Sequence, residues 1–134
     1  MSIQDLLKKA QFTATSVDAE LYASTAEELA KLIANSANHS TNKGTQLRRF
    51  YDEVCYWQDQ TRRHPEKFDE YLPFIQMIRA RVAYAKGRKL VDDNFYHMLD
   101  HCLRQISAGG GEVFNRFKLF FEAFMGYYKM YNDK

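Results

Sequence analysis

Apolar residues fall at helical spacing through most of the chain. Ile75, Ile78, Val82 and Ala85 recur at steps of three and four, which places them on one stripe of a helix reaching from Pro73 to Lys89. Leu47, Phe50, Tyr51, Val54 and Trp57 make a wider stripe, and Thr45 is placed to cap it. Phe95, Leu99, Cys102 and Ile106 form a third, opened by Asp92 or Asp93. The longest pattern runs roughly from Glu112 to Met130. In it Phe114, Phe117, Phe121, Phe124, Tyr128 and Tyr131 share a face that Phe120 and Tyr127 broaden. Burying one such aromatic stabilises by ~1.5 to 3 kcal/mol before entropy costs, so this last helix is expected against several others at the centre of a bundle.

The first third of the chain is weaker. Ser2 with Asp5 resembles a capping box, and Ile3, Leu6, Leu7 and Ala10 supply a short apolar face, which predicts a marginal helix dependent on tertiary contacts. Tyr22, Ala26, Leu29 and Ile33 share the face of the next helix. Two starts fit it, near Val17 and near Thr25, and the sequence does not choose between them. The run NSANHSTNKG from Asn35 to Gly44 has no apolar period and predicts a mobile surface loop. His64 and Pro65 mark a break, Pro73 is expected to restart the helix after EKFDEYL, and SAGGG at 107–111 is the clearest break of all. With 10 Phe and 9 Tyr against only 2 Pro, the balance favours long aromatic-packed helices over short strands with many turns. The expectation is an all-α fold, a compact bundle of about five to six helices in a single domain over residues 1–134.

Charge changes the picture through its distribution, since the net charge is only +2. No Asp or Glu occurs from Tyr71 to Val91, a window holding Arg79, Arg81, Lys86, Arg88 and Lys89. Arg79 and Lys86 flank the apolar stripe on one side, Arg81 and Arg88 on the other, each pair two turns apart. Arg48 and Arg49 project from the preceding stripe, and Lys43 opens the basic region. Their candidate partners four residues on, Asp52 and Glu53, are worth ~0.3 to 0.5 kcal/mol each, too little to withhold either arginine from a ligand. Cations on helix flanks are ordinary solvated surface in most soluble proteins. Two details favour a polyanion instead: the missing acids, and aromatic residues beside the cations, Tyr56 near Arg49 and Tyr84 between Arg81 and Arg88. Tyr84 fits a packed contact with a neighbouring helix equally well.

Catalytic chemistry finds no foothold. His97 and His101 lie four apart on a helix, but no third ligand and no H-E-x-x-H glutamate accompany them, so solvated polar residues are the better reading. Cys55 and Cys102 sit in apolar helical patterns without C-x-x-C spacing and are read as buried thiols. No P-loop, G-x-G-x-x-G or G-x-S-x-G is present, and a GGG ahead of a helix is usually a turn. The expectation is a non-enzyme with no catalytic residue, metal or cofactor. The start of the chain has no apolar core with a cleavage site, and no apolar run approaches the ~20 residues of a membrane span, so a cytoplasmic chain without a membrane partner is expected.

Three stretches in order, TQLRRFYDEV at 45–54, RVAYAKGR at 81–88 and FKLFFEAFMGYYKMY at 117–131, resemble the small helical subunit of type III-A CRISPR interference complexes, the Csm small subunit. The likeness spans about residues 25–131 and leaves the first 20 residues and the GGG aside. It implies a helical subunit without catalytic activity, repeated along the ribonucleoprotein, which helps to hold guide RNA and target RNA in antiviral defence while other subunits cleave. By that likeness Gln46 and Arg48 fall on the polar side of the first motif and Tyr84 and Arg88 on that of the second, and RNA binding is carried over to Gln46 and, most directly, to Arg48 and Arg88. Lys43, Arg49, Arg79, Arg81, Lys86 and Lys89 join them from their place in the basic blocks, and Arg116 and Lys118 as further candidates on the last helix. The implied partners are guide RNA, target RNA, other subunits of the complex and copies of the chain itself. The alternative is a helical interaction subunit whose basic face docks neighbouring subunits without direct RNA contact.

Overall fold

The aromatic stripe of the C-terminal third decides the architecture. In a computed structural model, which describes residues 2–132, it becomes helix α6 (Gly111–Tyr131), preceded by α1 (Ile3–Leu7), α2 (Ala26–Ser36), α3 (Gly44–Arg63), α4 (Phe68–Gly87) and α5 (Asp93–Leu103); no strand occurs among the described residues. Phe114, Phe117, Phe121, Phe124 and Tyr128 of α6 are buried, and Phe120 is sealed in the same core. Their rings pack in sequence along the helix, Phe117 on Phe121 at 5.8 Å and Phe124 on Tyr128 at 5.5 Å. The helix lies chiefly against α2 and α3, while α4 packs on α3 and α5. Tyr131, at the far end, is half-buried and donates its hydroxyl to Glu27 at 2.7 Å.

Helices α3 and α4 form an antiparallel hairpin through a single 3-10 turn at Pro65–Lys67, with Trp57 stacked on Phe74 at 5.7 Å near the turn. Pro73 does not restart a helix; it lies inside α4. At this place near the N-terminal end the missing N–H forfeits one bond, to the Asp69 carbonyl, and buried Phe68, packed on Phe114 at 6.3 Å, draws the first turn onto the core. Thr45 does not cap α3 either, because the helix begins one residue earlier, after Lys43, with no side chain on its first amides. Asp92 caps α5 by accepting from the Phe95 amide at 3.0 Å.

The N-terminal third is held by others. Ser2 and Asp5 form the full capping box of α1. Of the two proposed starts the one near Thr25 is used: α2 begins at Ala26 with Thr25 in the cap position, though a π-turn at Leu21–Thr25 leads straight into it and the buried Thr25 side chain makes no capping bond. Between them Phe12 is fully buried against Phe117 and Phe120, and its amide donates to the Gln105 side chain at 2.8 Å. The glycine break ahead of α6 is a tight turn. Gly109 has a φ of 74°, and a Cβ on Gly110 would meet the Ser107 carbonyl oxygen at 2.7 Å.

The segment expected to be a free surface loop is pinned at its end. Asn38 caps its own turn by accepting from the amides of Ser40 and Thr41. Asn42, at a φ of 55°, is fully buried. Its amide donates to the Leu90 carbonyl at 2.9 Å, its side-chain oxygen accepts from the Asp92 amide at 2.9 Å, and its carbonyl accepts from the Tyr128 hydroxyl. One asparagine thus fastens the α2–α3 loop to the α4–α5 turn and to α6.

Candidate nucleic-acid interface

The hairpin and the Asn42 knot bring the basic blocks together. Because α3 and α4 are antiparallel, the start of α3 meets the end of α4, and the Asn42–Leu90 bond sets Lys43 beside Lys89 in the same region. Lys43, Arg48, Arg49, Arg88 and Lys89 are exposed there. The side chains of Lys43, Arg49 and Lys89 have no hydrogen-bonding or ion-pair partner among the described residues. Arg48 keeps Asp52 at 3.4 Å, an exposed pair of little strength, and lies over the Tyr51 ring at 5.8 Å. Arg88 lies over the Tyr84 ring at 5.8 Å and donates to its hydroxyl at 3.3 Å, a bond that pushes the guanidinium pKa further up. The uncapped start of α3, with no acid in its first turn, adds the positive end of a helix dipole to the same region.

Two grooves flank α3 here. One, of about 430 Å³, lies between α3 and α4 and is lined by Gln46, Arg49, Arg81 and Tyr84 over Ala80 and Leu90. The other, of about 1060 Å³, lies between α3 and α6 and takes in Lys43, Arg48 and Tyr51. It also includes Lys129, which sequence reasoning missed. The available signal was its place on α6 three residues past Gly126, where a residue without a side chain leaves the helix surface open.

The remaining candidates are engaged elsewhere. The expectation that the cations of α4 lack counter-charges holds only within residues 71–91 themselves. Arg81 pairs with Glu53 of α3, which therefore does not serve Arg49. On the opposite flank Arg79 binds Asp100 at 3.0 Å, and Lys86 binds Asp93 at 2.9 Å beneath the Tyr96 ring. Burial works against the ionised Asp100, but hydrogen bonds from Arg104 and Arg79 outweigh it and hold the carboxyl below its usual range. The hydrogen bond from Lys86 does the same for Asp93. These two cations tie α4 to α5 and leave the groove side of α4 to Arg81, Tyr84 and Arg88. Arg116 is turned away from the hairpin altogether: it donates to the carbonyls of Phe12, Ala14 and Thr15. Lys118, largely covered, pairs with Glu122 at 2.7 Å.

Other chemistry-bearing residues have structural partners. His101 bonds the Ala10 carbonyl at 3.0 Å, and the described residues contain no group of three metal-ligating side chains. Burial pushes the Cys102 thiol pKa well up, while Cys55 is only half-buried. The glycine loop before α6 is met by an acid of the same chain, Asp69, which accepts from the Gly109 amide at 2.8 Å. No helix among the described residues is long and apolar enough to cross a membrane.

No curated protein and no solved structure matches the chain. The family model described as Csm2 Type III-A matches residues 16–134, nearly the whole length and all three stretches quoted above. The chain belongs to that family, the small subunits of the type III-A Csm complex.

Proposed function

We propose that this chain is a non-catalytic, cytoplasmic RNA-binding subunit of a type III-A CRISPR ribonucleoprotein, holding guide RNA and target RNA by their phosphates in antiviral defence. The observation that carries the reading is the cluster of exposed, weakly held cations where the start of α3 meets the end of α4. Lys43, Arg48, Arg49, Arg88 and Lys89 form the binding surface, with Gln46 at its edge and Arg81 behind it. Arg79, Lys86, Arg116 and Lys118 support the fold. A surface of this kind reads phosphates and tolerates any base, while guide–target pairing supplies sequence. One copy offers few contacts, so repeated copies along one RNA, beside the other subunits, supply avidity.

Replacing Arg48 and Arg88 together by Glu tests this. Both are exposed and lie off the apolar stripes, so melting stays nearly unchanged. Binding of unrelated single-stranded RNA sequences weakens to a similar degree, and the log–log salt slope flattens by about 0.7 for each phosphate no longer neutralised. Wild-type binding by a well-folded double variant would refute the assignment. A second reading has its own observation: Asp18, Glu20 and Glu28 are exposed acids in the first third of the chain, opposite in charge to the basic end of another copy. It predicts that the double variant loses subunit association and that neither protein binds RNA, alone or assembled.

A further inference from the structure

The groove between α3 and α4 carries a feature that a phosphate clamp does not need. Tyr84 is 66 % exposed, yet it is fixed in place: it lies on the well-packed α4 between buried Val82 and Ala85, with the Arg88 guanidinium against its ring and hydroxyl. Beside it the groove has an apolar lining, including Phe50, Ala80 and Leu90, and a polar rim formed by Gln46 and Arg49. Neither the Gln46 carboxamide nor the Arg49 guanidinium has a partner among the described residues. Leu90 is itself 37 % exposed, so apolar surface and an open aromatic ring stand together beside Arg49 and Arg88, with the Glu53–Arg81 pair completing the wall of the groove. Purely electrostatic binding gains nothing from leaving these surfaces uncovered, and water solvates them poorly.

We propose, on the reading of the basic end as an RNA surface, that Tyr84 and this groove take an unpaired nucleobase of single-stranded RNA. The base stacks on the tyrosine while Arg49 and Arg88 meet the phosphates on either side. A flat, apolar face bearing polar edges, attached to a flanking anion, matches an aromatic wall, an apolar floor and a cationic rim at once. The volume, about 430 Å³, lies within the ~300 to 1,000 Å³ of small-ligand sites. Gln46 offers both donors and an acceptor, so the edge of any base finds a partner, and stacking itself is indifferent to sequence. A paired base inside a duplex has both faces covered by its neighbours and cannot make this contact. The subunit is therefore a single-strand-preferring binder, selective for strand state and blind to sequence.

This separates the groove from the clamp experimentally. A duplex carries the denser phosphate charge, so electrostatics alone favours duplex over single strand, and stacking reverses the order. The full chain is titrated by fluorescence anisotropy with three probes at one salt concentration: a labelled unstructured RNA oligonucleotide, its blunt duplex, and the same strand with abasic riboses. Wild type binds the single strand most tightly. Tyr84→Ala loses about tenfold on that probe and nothing on the other two, and Tyr84→Phe keeps the preference. Thermal melting verifies that both variants fold. A benzophenone amino acid in place of Tyr84 in the assembled complex cross-links to RNA. Duplex preference by wild type, unchanged single-strand affinity of Tyr84→Ala, or cross-linking only to another protein subunit overturns the proposal. If Arg48→Glu with Arg88→Glu weakens all three probes while Tyr84→Ala changes none, the groove is refuted and the phosphate surface stands. If wild type binds no RNA, alone or assembled, both fall.

Discussion

Arg116 is a residue for which sequence and structure assign opposite roles, and replacing it by Ala separates them. Its side chain is only 16 % exposed and reaches back from the second turn of α6 to three backbone carbonyls, Phe12 at 3.0 Å, Ala14 at 2.7 Å and Thr15 at 3.2 Å. Hydrogen bonds to a charged group are each worth ~1.5 to 3 kcal/mol, but the full sum does not apply here. The Ala14 and Thr15 carbonyls lie at exposed positions and return to water when the arginine is removed, so their net loss is small. The Phe12 carbonyl is anchored beside a fully buried ring and is not easily rehydrated. Gln105 still holds this segment through the Phe12 amide and the Ala10 carbonyl. The net cost is therefore about 2 kcal/mol, which for a chain of this size lowers the melting temperature by roughly 6 to 10 °C. Circular dichroism measures the melting, and hydrogen exchange should quicken first in residues 8–20. RNA binding measured well below the melting point is unchanged. A variant that melts like wild type but binds RNA more weakly across sequences would refute the reasoning and return Arg116 to the phosphate surface.

Phe121 is fully buried, with ring contacts to Tyr51, Phe95, Phe117 and Phe124, so Phe121→Ala costs about 3 to 5 kcal/mol and lowers the calorimetric melting temperature by more than 10 °C; an unchanged value would mean that this face of α6 serves a partner instead of the core. Asp100, whose carboxyl is held below its usual range against the pull of burial by Arg104 and Arg79, contributes stability that is present above the unfolded carboxylate pKa and lost as pH falls through the folded one. Asp100→Asn should thus be less stable than wild type by about 1 to 2 kcal/mol at pH 7, with the gap closing below about pH 4; a gap independent of pH would exclude the ionised carboxylate as its source.

The apolar stripes were legible because burial imposes a period that local sequence records. The face of α6 and the two flanks of α4 follow directly from residue spacing, and the flanks do diverge, Arg79 and Lys86 toward α5 and Arg81 toward α3. What the sequence hid were contacts whose partners lie far along the chain. Arg49 and Arg81 both read as free for a ligand, yet Glu53, four residues from Arg49, turns across the hairpin to Arg81. Arg116 looked like one more surface cation because its carbonyl partners lie about 100 residues upstream and backbone groups carry no sequence signature. Pro73 misled through a local rule that packing of the first turn overrides. Asn42 did carry a signal, since asparagine is among the few residues that accept a positive φ readily, but only the fold reveals that its backbone and side chain bind two other segments.

That asparagine also limits how the chain can change length. Lys43 and Lys89 are separated by 45 intervening residues, yet the bonds that Asn42 makes to Leu90 and Asp92 set the alignment of the two segments that carry them. An extra residue between Asn42 and the first turn of α3, or between Gly87 and Asp92, would shift one row of cations against the other without altering any charge. Length is therefore constrained at these two connections as strictly as residue identity is in the core. The stretch from Lys8 to Glu20, remote from the hairpin end, can lengthen between its anchored residues without disturbing that alignment.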